Sequence, residues 1–219
     1  MNQFWIRVLL VFMSLATLTA CTRNQMFLLE SNPCNAPCWY NVIPGKTKKS
    51  ELVGLLQSIP KVDFDSIEKR SVIKADDSYY WNFKGTIEDW GRAIFNDDTI
   101  SSIEFSLSKD SVPLENVIQI FGSPENILAI EQKAEHRYVY AYLNYPKKGI
   151  SILITPPYTE SYTHITITPD LYVESIWFYD PLLFNRLFSM GPIDVNNSDT
   201  INKKYQNWVG YGQYSFYEK

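Results

Sequence analysis

Thr47-Lys-Lys-Ser-Glu51-Leu-Val53-Gly-Leu-Leu56-Gln-Ser-Ile-Pro60 lies without gaps on Ser111-Val-Pro-Leu-Glu115-Asn-Val117-Ile-Gln-Ile120-Phe-Gly-Ser-Pro124. Each stretch opens on a hydroxyl suited to a helix cap. Each places a glutamate four residues on, where the positive end of the helix dipole favours an anion. Apolar residues then return at helical spacing: Leu52, Leu55, Leu56 and Ile59 in one, Leu114, Val117, Ile118 and Phe121 in the other. Both end at a proline, which cannot continue a helix. Two helices with the same punctuation predict a repeated unit.

The sequence downstream of each helix keeps the same order. Tyr80-Trp81-Asn82-Phe83-Lys84 matches Tyr142-Leu143-Asn144-Tyr145-Pro146, an alternating strand running into a turn. Ile100-Ser-Ser-Ile103-Glu-Phe105 matches Val173-Glu-Ser-Ile176-Trp-Phe178, the last strand of a hairpin, with turn chemistry before it in Asn96-Asp97-Asp98 and Pro169-Asp170. The fold class is therefore read as α+β, with two tandem units of a helix followed by an antiparallel β-meander of three strands. The first unit covers residues 34–110 and the second 111–180, sharing one continuous sheet or packing as a pseudo-dimer. The second carries an insertion around Pro156-Pro157-Tyr158, with Tyr162 to Thr168 as a further strand. Asp180-Pro181 reads as an N-cap with proline at the first helical position, opening a short helix through Phe188. Residues 181–219 make up that helix and an aromatic, glycine-punctuated tail that periodicity does not place.

At the other end, Arg7 and the free amine precede an apolar run from Val8 to Leu18, interrupted by Ser14 and Thr17. About 11 residues are too few to span the roughly 30 Å hydrocarbon core as a helix. The run leads into Leu18-Thr19-Ala20-Cys21, which resembles the bacterial lipobox at every position. An ordinary secretory cleavage site would want a small residue where Leu18 stands. The resemblance implies a signal peptide over residues 1–20 and acyl chains on Cys21. It also implies a tether over residues 21–33, and a place on the extracytoplasmic side of a bacterial cell membrane or outer membrane. Each buried methylene contributes about 0.8 kcal/mol, so two or three chains anchor stably where one would not. Met26-Phe27-Leu28-Leu29 is apolar for a free linker and is expected to pack down in part.

With Cys21 committed to lipid, Cys34 and Cys38 remain as a C-x3-C pair in an oxidising compartment, where a disulfide is the usual outcome. A metal site is the alternative. It would want four nitrogen or sulfur ligands, and only His136 and His164 exist to complete one, so no metal and no cofactor are expected. Trp39 is expected to pack beside the bridge and anchor the first unit.

Cys34-Asn-Ala-Pro-Cys38-Trp39-Tyr-Asn-Val-Ile43-Pro44-Gly45-Lys-Thr47 resembles a segment of uncharacterised bacterial lipoproteins, a C-x-x-P-C-W run leading into I-x-P-G-x-T. The helix-then-meander unit is similar to the BamE (SmpA/OmlA) and β-lactamase-inhibitor-like fold, whose helix likewise opens on a Gly-x-Thr/Ser cap. That resemblance implies action by binding other proteins of the cell envelope. The chain departs from BamE in being duplicated and in carrying the cysteine segment, so a role in outer-membrane assembly does not carry over.

Net charge is −4, leaving no basic surplus to neutralise phosphates, so no nucleic-acid partner is expected. No G-x-S-x-G occurs and neither histidine sits in a triad motif, so no catalytic residue is assigned. His136 reads as a solvated residue before a strand and His164 as a surface or half-buried member of one. The carboxylate pairs Asp63/Asp65, Asp76/Asp77, Glu88/Asp89 and Asp97/Asp98 are placed in loops or turns, where Asp satisfies backbone groups. Aromatic residues make up 15% of the chain, and their placement is the better lead. In Arg137-Tyr138-Val139-Tyr140-Ala141-Tyr142-Leu143, a period of two sends Val139, Ala141 and Leu143 to the helix face and three tyrosines to the other. That stripe is either a second core layer beneath the insertion and tail, or a binding surface, since tyrosine is favoured in recognition hot spots. The function expected first is a non-catalytic module binding an envelope protein; a small-ligand or glycan receptor using aromatic stacking comes second, and a hydrolase third.

Overall fold

Both predicted helices form, α1 over Lys49–Gln57 and α2 over Leu114–Phe121, in a computed structural model. It describes residues 28–29, 34–70, 78–86, 88–133, 137–157, 163–184 and 204–218. The chain divides into two compact units, Met1–Glu30 and Ser31–Lys219. Cys21, the signal segment and all of the tether except Leu28 and Leu29 lie outside the described residues, as do His136, Asp76 and Asp77.

The expected hydroxyl caps are not used. Thr47 Oγ1 accepts from the Ile43 N–H at 2.8 Å and closes the turn before α1, while Ser111 Oγ is buried with no hydrogen-bond partner. Lys48 and Pro113 hold the N-cap positions instead. Backbone carbonyls satisfy the first helical N–H groups: Lys49 donates to Asp98, Leu114 to Leu171, and Glu115 to Pro169, at 2.7–3.0 Å. In both helices the acceptors come from the turn entering a later strand. The cap residues also bridge to that region, Lys48 to Thr99 and Pro113 to Tyr172. Orphan N–H groups that a side chain would have met are thus tied into the sheet. Glu51 keeps its expected place and accepts from the Lys48 N–H at 2.9 Å.

Four strands follow α1: β1 (Val62–Arg70), β2 (Ser78–Phe83), β3 (Trp90–Asn96) and β4 (Thr99–Ser106). Five follow α2: β5 (Asn126–Lys133), β6 (Arg137–Tyr145), β7 (Ile150–Ile154), β8 (His164–Ile167) and β9 (Val173–Tyr179). The tail adds β10 (Gln206–Asn207), β11 (Gly212–Ser215) and β12 (Tyr217–Glu218). Ten of these strands form one sheet in the order β1-β2-β3-β4-β9-β7-β6-β5-β10, with β12 also on β5; β8 pairs with β11 separately. Two meanders therefore meet edge to edge through antiparallel β4 and β9, from Ser102 opposite Tyr179 to Ser106 opposite Ser175.

Each meander has four strands in the sheet where three were expected, because β1 and β5 were missed. Asp63 and Asp65, expected in a loop, lie on β1. The register slips between Asp63 and Glu68, and Ser66 fills the gap. Its hydroxyl donates to Asp63 O at 2.6 Å and accepts from the Asn82 N–H at 2.8 Å. A bulged, mostly exposed edge strand carries no apolar alternation to read.

The helix face of the sheet holds the core. Cys34 and Cys38 are bridged, with Cα atoms 5.6 Å apart. Tyr40 and Asn41 then take left-handed conformations in a tight turn closed by paired Trp39–Val42 hydrogen bonds. That turn sends Trp39 into the core, 4.6 Å from the Phe105 ring and stacked on Trp81 at 6.1 Å. Phe105 continues across the β4–β9 joint to Phe178 at 5.9 Å, and Phe121 of α2 meets Phe178 at 6.1 Å. Gly91 makes room for this layer, since a Cβ there would stand 2.2 Å from the Trp81 indole. After β9, Asp180 caps a short 3₁₀ turn, Pro181–Leu183, accepting from the Leu182 N–H at 3.0 Å. The predicted helix beyond Phe184 lies outside the described residues.

Candidate functional site

Alternation along β6 distributes its side chains as the period of two requires. Val139, Ala141 and Leu143 are fully buried, and the three tyrosines occupy the opposite face. They form a gradient of depth. Tyr142 is 5% exposed, within a cluster of Ile94, Leu128, Ile130, Trp177 and Tyr179 against which Phe184 and Tyr205 pack. Tyr140 and Tyr138 are half-buried, their rings edge to face at 5.2 Å. The inner end of the stripe is thus core, partly beneath the C-terminal segment, and the outer pair keeps solvent access. Burial, reinforced by the neighbouring Tyr138, pushes the Tyr140 phenol up to about 12. Burial also holds Tyr142 well above the ordinary phenol value. Both hydroxyls therefore stay protonated near neutrality and can donate.

Neighbouring positions on this face form a row across the sheet. Glu68, Tyr80, Arg92, Glu104, Trp177, Ser151, Asn144 and Asn126 stand successively opposite one another. Arg92 Nη1 donates to the Tyr80 hydroxyl at 3.2 Å, and its guanidinium lies 5.5 Å from the Trp177 ring centre. Nη2 reaches Glu104 Oε2 at 2.5 Å in an ion pair, and Nε is buried without a hydrogen-bond partner. Burial raises the Glu104 carboxyl above its ordinary value, with Arg92 opposing. Beyond the joint the row is neutral: Ser151 Oγ donates to Asn144 Oδ1 at 2.7 Å, and Asn144 Nδ2 donates to Asn126 Oδ1 at 2.9 Å. Most of these groups are partnered within the row, with Arg92 Nε the buried exception, which describes a largely structural polar network.

Sequence reasoning missed Arg92, Glu104 and Trp177. The signal was present: aligning the last strands of the two meanders sets Glu104 on Trp177, a charge where its counterpart is apolar. These two residues are also direct partners across β4 and β9.

Glu104 is paired with Arg92 and lies close enough to Tyr142 to help hold that phenol protonated. Among the described residues no three His, Cys, Asp or Glu side chains gather as metal ligands. His164 is exposed at the start of β8, its Nδ1 2.8 Å from Thr163 Oγ1. An open cleft of about 380 Å³ at the β3–β4 turn is lined by Gly45, Lys48, Asn96–Ser101, Asp180 and Leu183. It offers no aromatic ring for stacking, and its Ser101 hydroxyl already donates to Ile94 O at 3.0 Å. No protein-family model, curated protein or solved structure matches the chain.

Proposed function

We propose that this chain is a lipid-anchored, non-catalytic module of the bacterial cell envelope that binds a protein partner. The half-buried Tyr138–Tyr140 pair carries the reading. Two tyrosine rings stand beside one another on a strand, where they cover area at little entropy cost. The anchor rests on Leu18-Thr19-Ala20-Cys21. We further read the fold as two tandem BamE-like units. Support comes from the repeated order of helix and four-stranded meander, from the matching bridges Lys48–Thr99 and Pro113–Tyr172, and from the aligned pair Glu104 and Trp177 facing each other.

The test is in-cell photocrosslinking from positions 138 and 140 of the lipidated protein, followed by pull-down. A discrete protein adduct that Tyr138→Ala/Tyr140→Ala abolishes is expected. If no adduct forms while an oligosaccharide raises the melting temperature, the partner is a glycan and the reading fails. Fatty-acid labelling that persists in Cys21→Ala would remove the anchor.

A further inference from the structure

Large apolar side chains are normally exposed one at a time, yet Leu182 and Val209 are 90% and 83% exposed at the same end of the sheet. A series of contacts connects them. A Cβ on Gly149 would stand 3.1 Å from Pro37, inside the disulfide loop, and 3.2 Å from Pro181, the neighbour of Leu182. The turn ending at Gly149 carries Lys147, whose Nζ lies 3.3 Å from Glu125 Oε2. Glu125 O accepts from the Trp208 N–H at 3.2 Å, which places Val209 beside it. The disulfide loop that begins at Cys34 therefore lies on the same end as both exposed aliphatic residues and an outward-facing lysine.

We propose that this end of the sheet is a membrane-facing surface, with Leu182 and Val209 dipping into the interfacial layer of the bilayer. The proposal rests on the lipid-anchor reading of Cys21. Only residues 22–33 separate that cysteine from Cys34. At roughly 3.3 Å per residue they let the loop stand at most ~40 Å from the bilayer. The side chains suit the occupant: aliphatic tips for the acyl boundary, and Trp208 and Tyr211 for the headgroup level. Of the carboxylates at this end, Glu125 pairs with Lys147 and Asp180 accepts from the Leu182 N–H, while the exposed Asp97 and Asp98 of the β3–β4 turn bound the surface on its other side.

Cys34 and Cys38 are bridged and Cys21 is acylated, so one added cysteine is the only free thiol. Leu182→Cys, Val209→Cys and, at the far end of β9, Tyr172→Cys (42% exposed in the native residue) would carry a fluorophore in the lipidated protein. The protein is reconstituted into phosphatidylethanolamine–phosphatidylglycerol vesicles with brominated acyl chains. Roughly two-fold quenching is expected at 182 and 209 and none at 172. Protein that floats with vesicles but shows no quenching at 182 and 209, or equal quenching at 172, overturns the membrane-facing surface and leaves the anchor standing. Protein that fails to float overturns both.

Discussion

Gly91 has the Trp81 indole where any other residue would put its Cβ, at 2.2 Å, and both lie in the buried layer beneath Trp39. A ring flanked on both sides cannot swing away without moving its neighbours, so overpacking is felt in full. Gly91→Ala is expected to lower the unfolding free energy by about 1–3 kcal/mol, read from the denaturation midpoint at unchanged slope. Glu104 makes a different prediction. Its folded pKa is raised by burial, so the native state holds the proton to higher pH than the unfolded chain does. The stability this contributes is complete below the ordinary glutamate value of about 4.3 and is lost as pH climbs through the folded value. Glu104→Gln mimics the protonated form. Wild-type stability should therefore decline relative to this variant as pH rises from about 4 toward neutrality. A wild-type protein that instead gains on the variant over that interval would show that Arg92 outweighs the cost of burial.

At the scale of elements, the disulfide loop is short and local. The chain-entropy model assigns a closed loop of this size about 2 kcal/mol, so replacing Cys34 and Cys38 by alanine should cost about that much, provided Trp39 keeps its place. A much larger loss would mean that the bridge positions Trp39 as well as constraining the unfolded chain. Elements with a period of their own were legible in the sequence. The two helices, the alternating strands β2, β4, β6 and β9, the Asn96–Asp98 turn and the Asp180–Pro181 cap could all be read there. The tyrosine stripe was legible for the same reason, since alternation alone decides which face it occupies. Elements specified by their neighbours were not legible. β1 is charged and bulged, and Ser66 replaces part of its ladder. β10 and β12 span two residues each and exist because β5 offers an edge. The hydroxyl caps failed because carbonyls from distant turns reached the helix ends first. The Arg92–Glu104–Trp177 grouping joins three strands, two from the first meander and one from the second, and no local pattern contains it.

For the sheet as a whole, the two outer edges are protected by different devices. β1 carries Asp63, Asp65, Glu68, Lys69 and Arg70 and is bent by its register slip, and a charged, irregular edge is a poor template for another strand. β5 lacks that protection in its ordered core, Asn126-Ile-Leu-Ala-Ile130, which pairs with β6 without interruption. The tail covers it instead: Gln206 and Asn207 pair antiparallel with Ile127 and Asn126, while Tyr217 and Glu218 run parallel to Ile130 and Glu131. The same segment supplies β11 to β8 and packs Tyr205 on the Tyr142–Trp177 cluster. Ending the chain before Lys204 would therefore expose a regular apolar strand edge, strip β8 of its partner and open that cluster together. The expected result is a loss of at least about 3 kcal/mol, the scale of one large aromatic side chain removed from a core. Concentration-dependent self-association on size-exclusion chromatography should accompany it, as strands pair through β5. A truncated protein that stays monomeric at full stability would show that β5 needs no cover and that the tail's strands are incidental to the sheet.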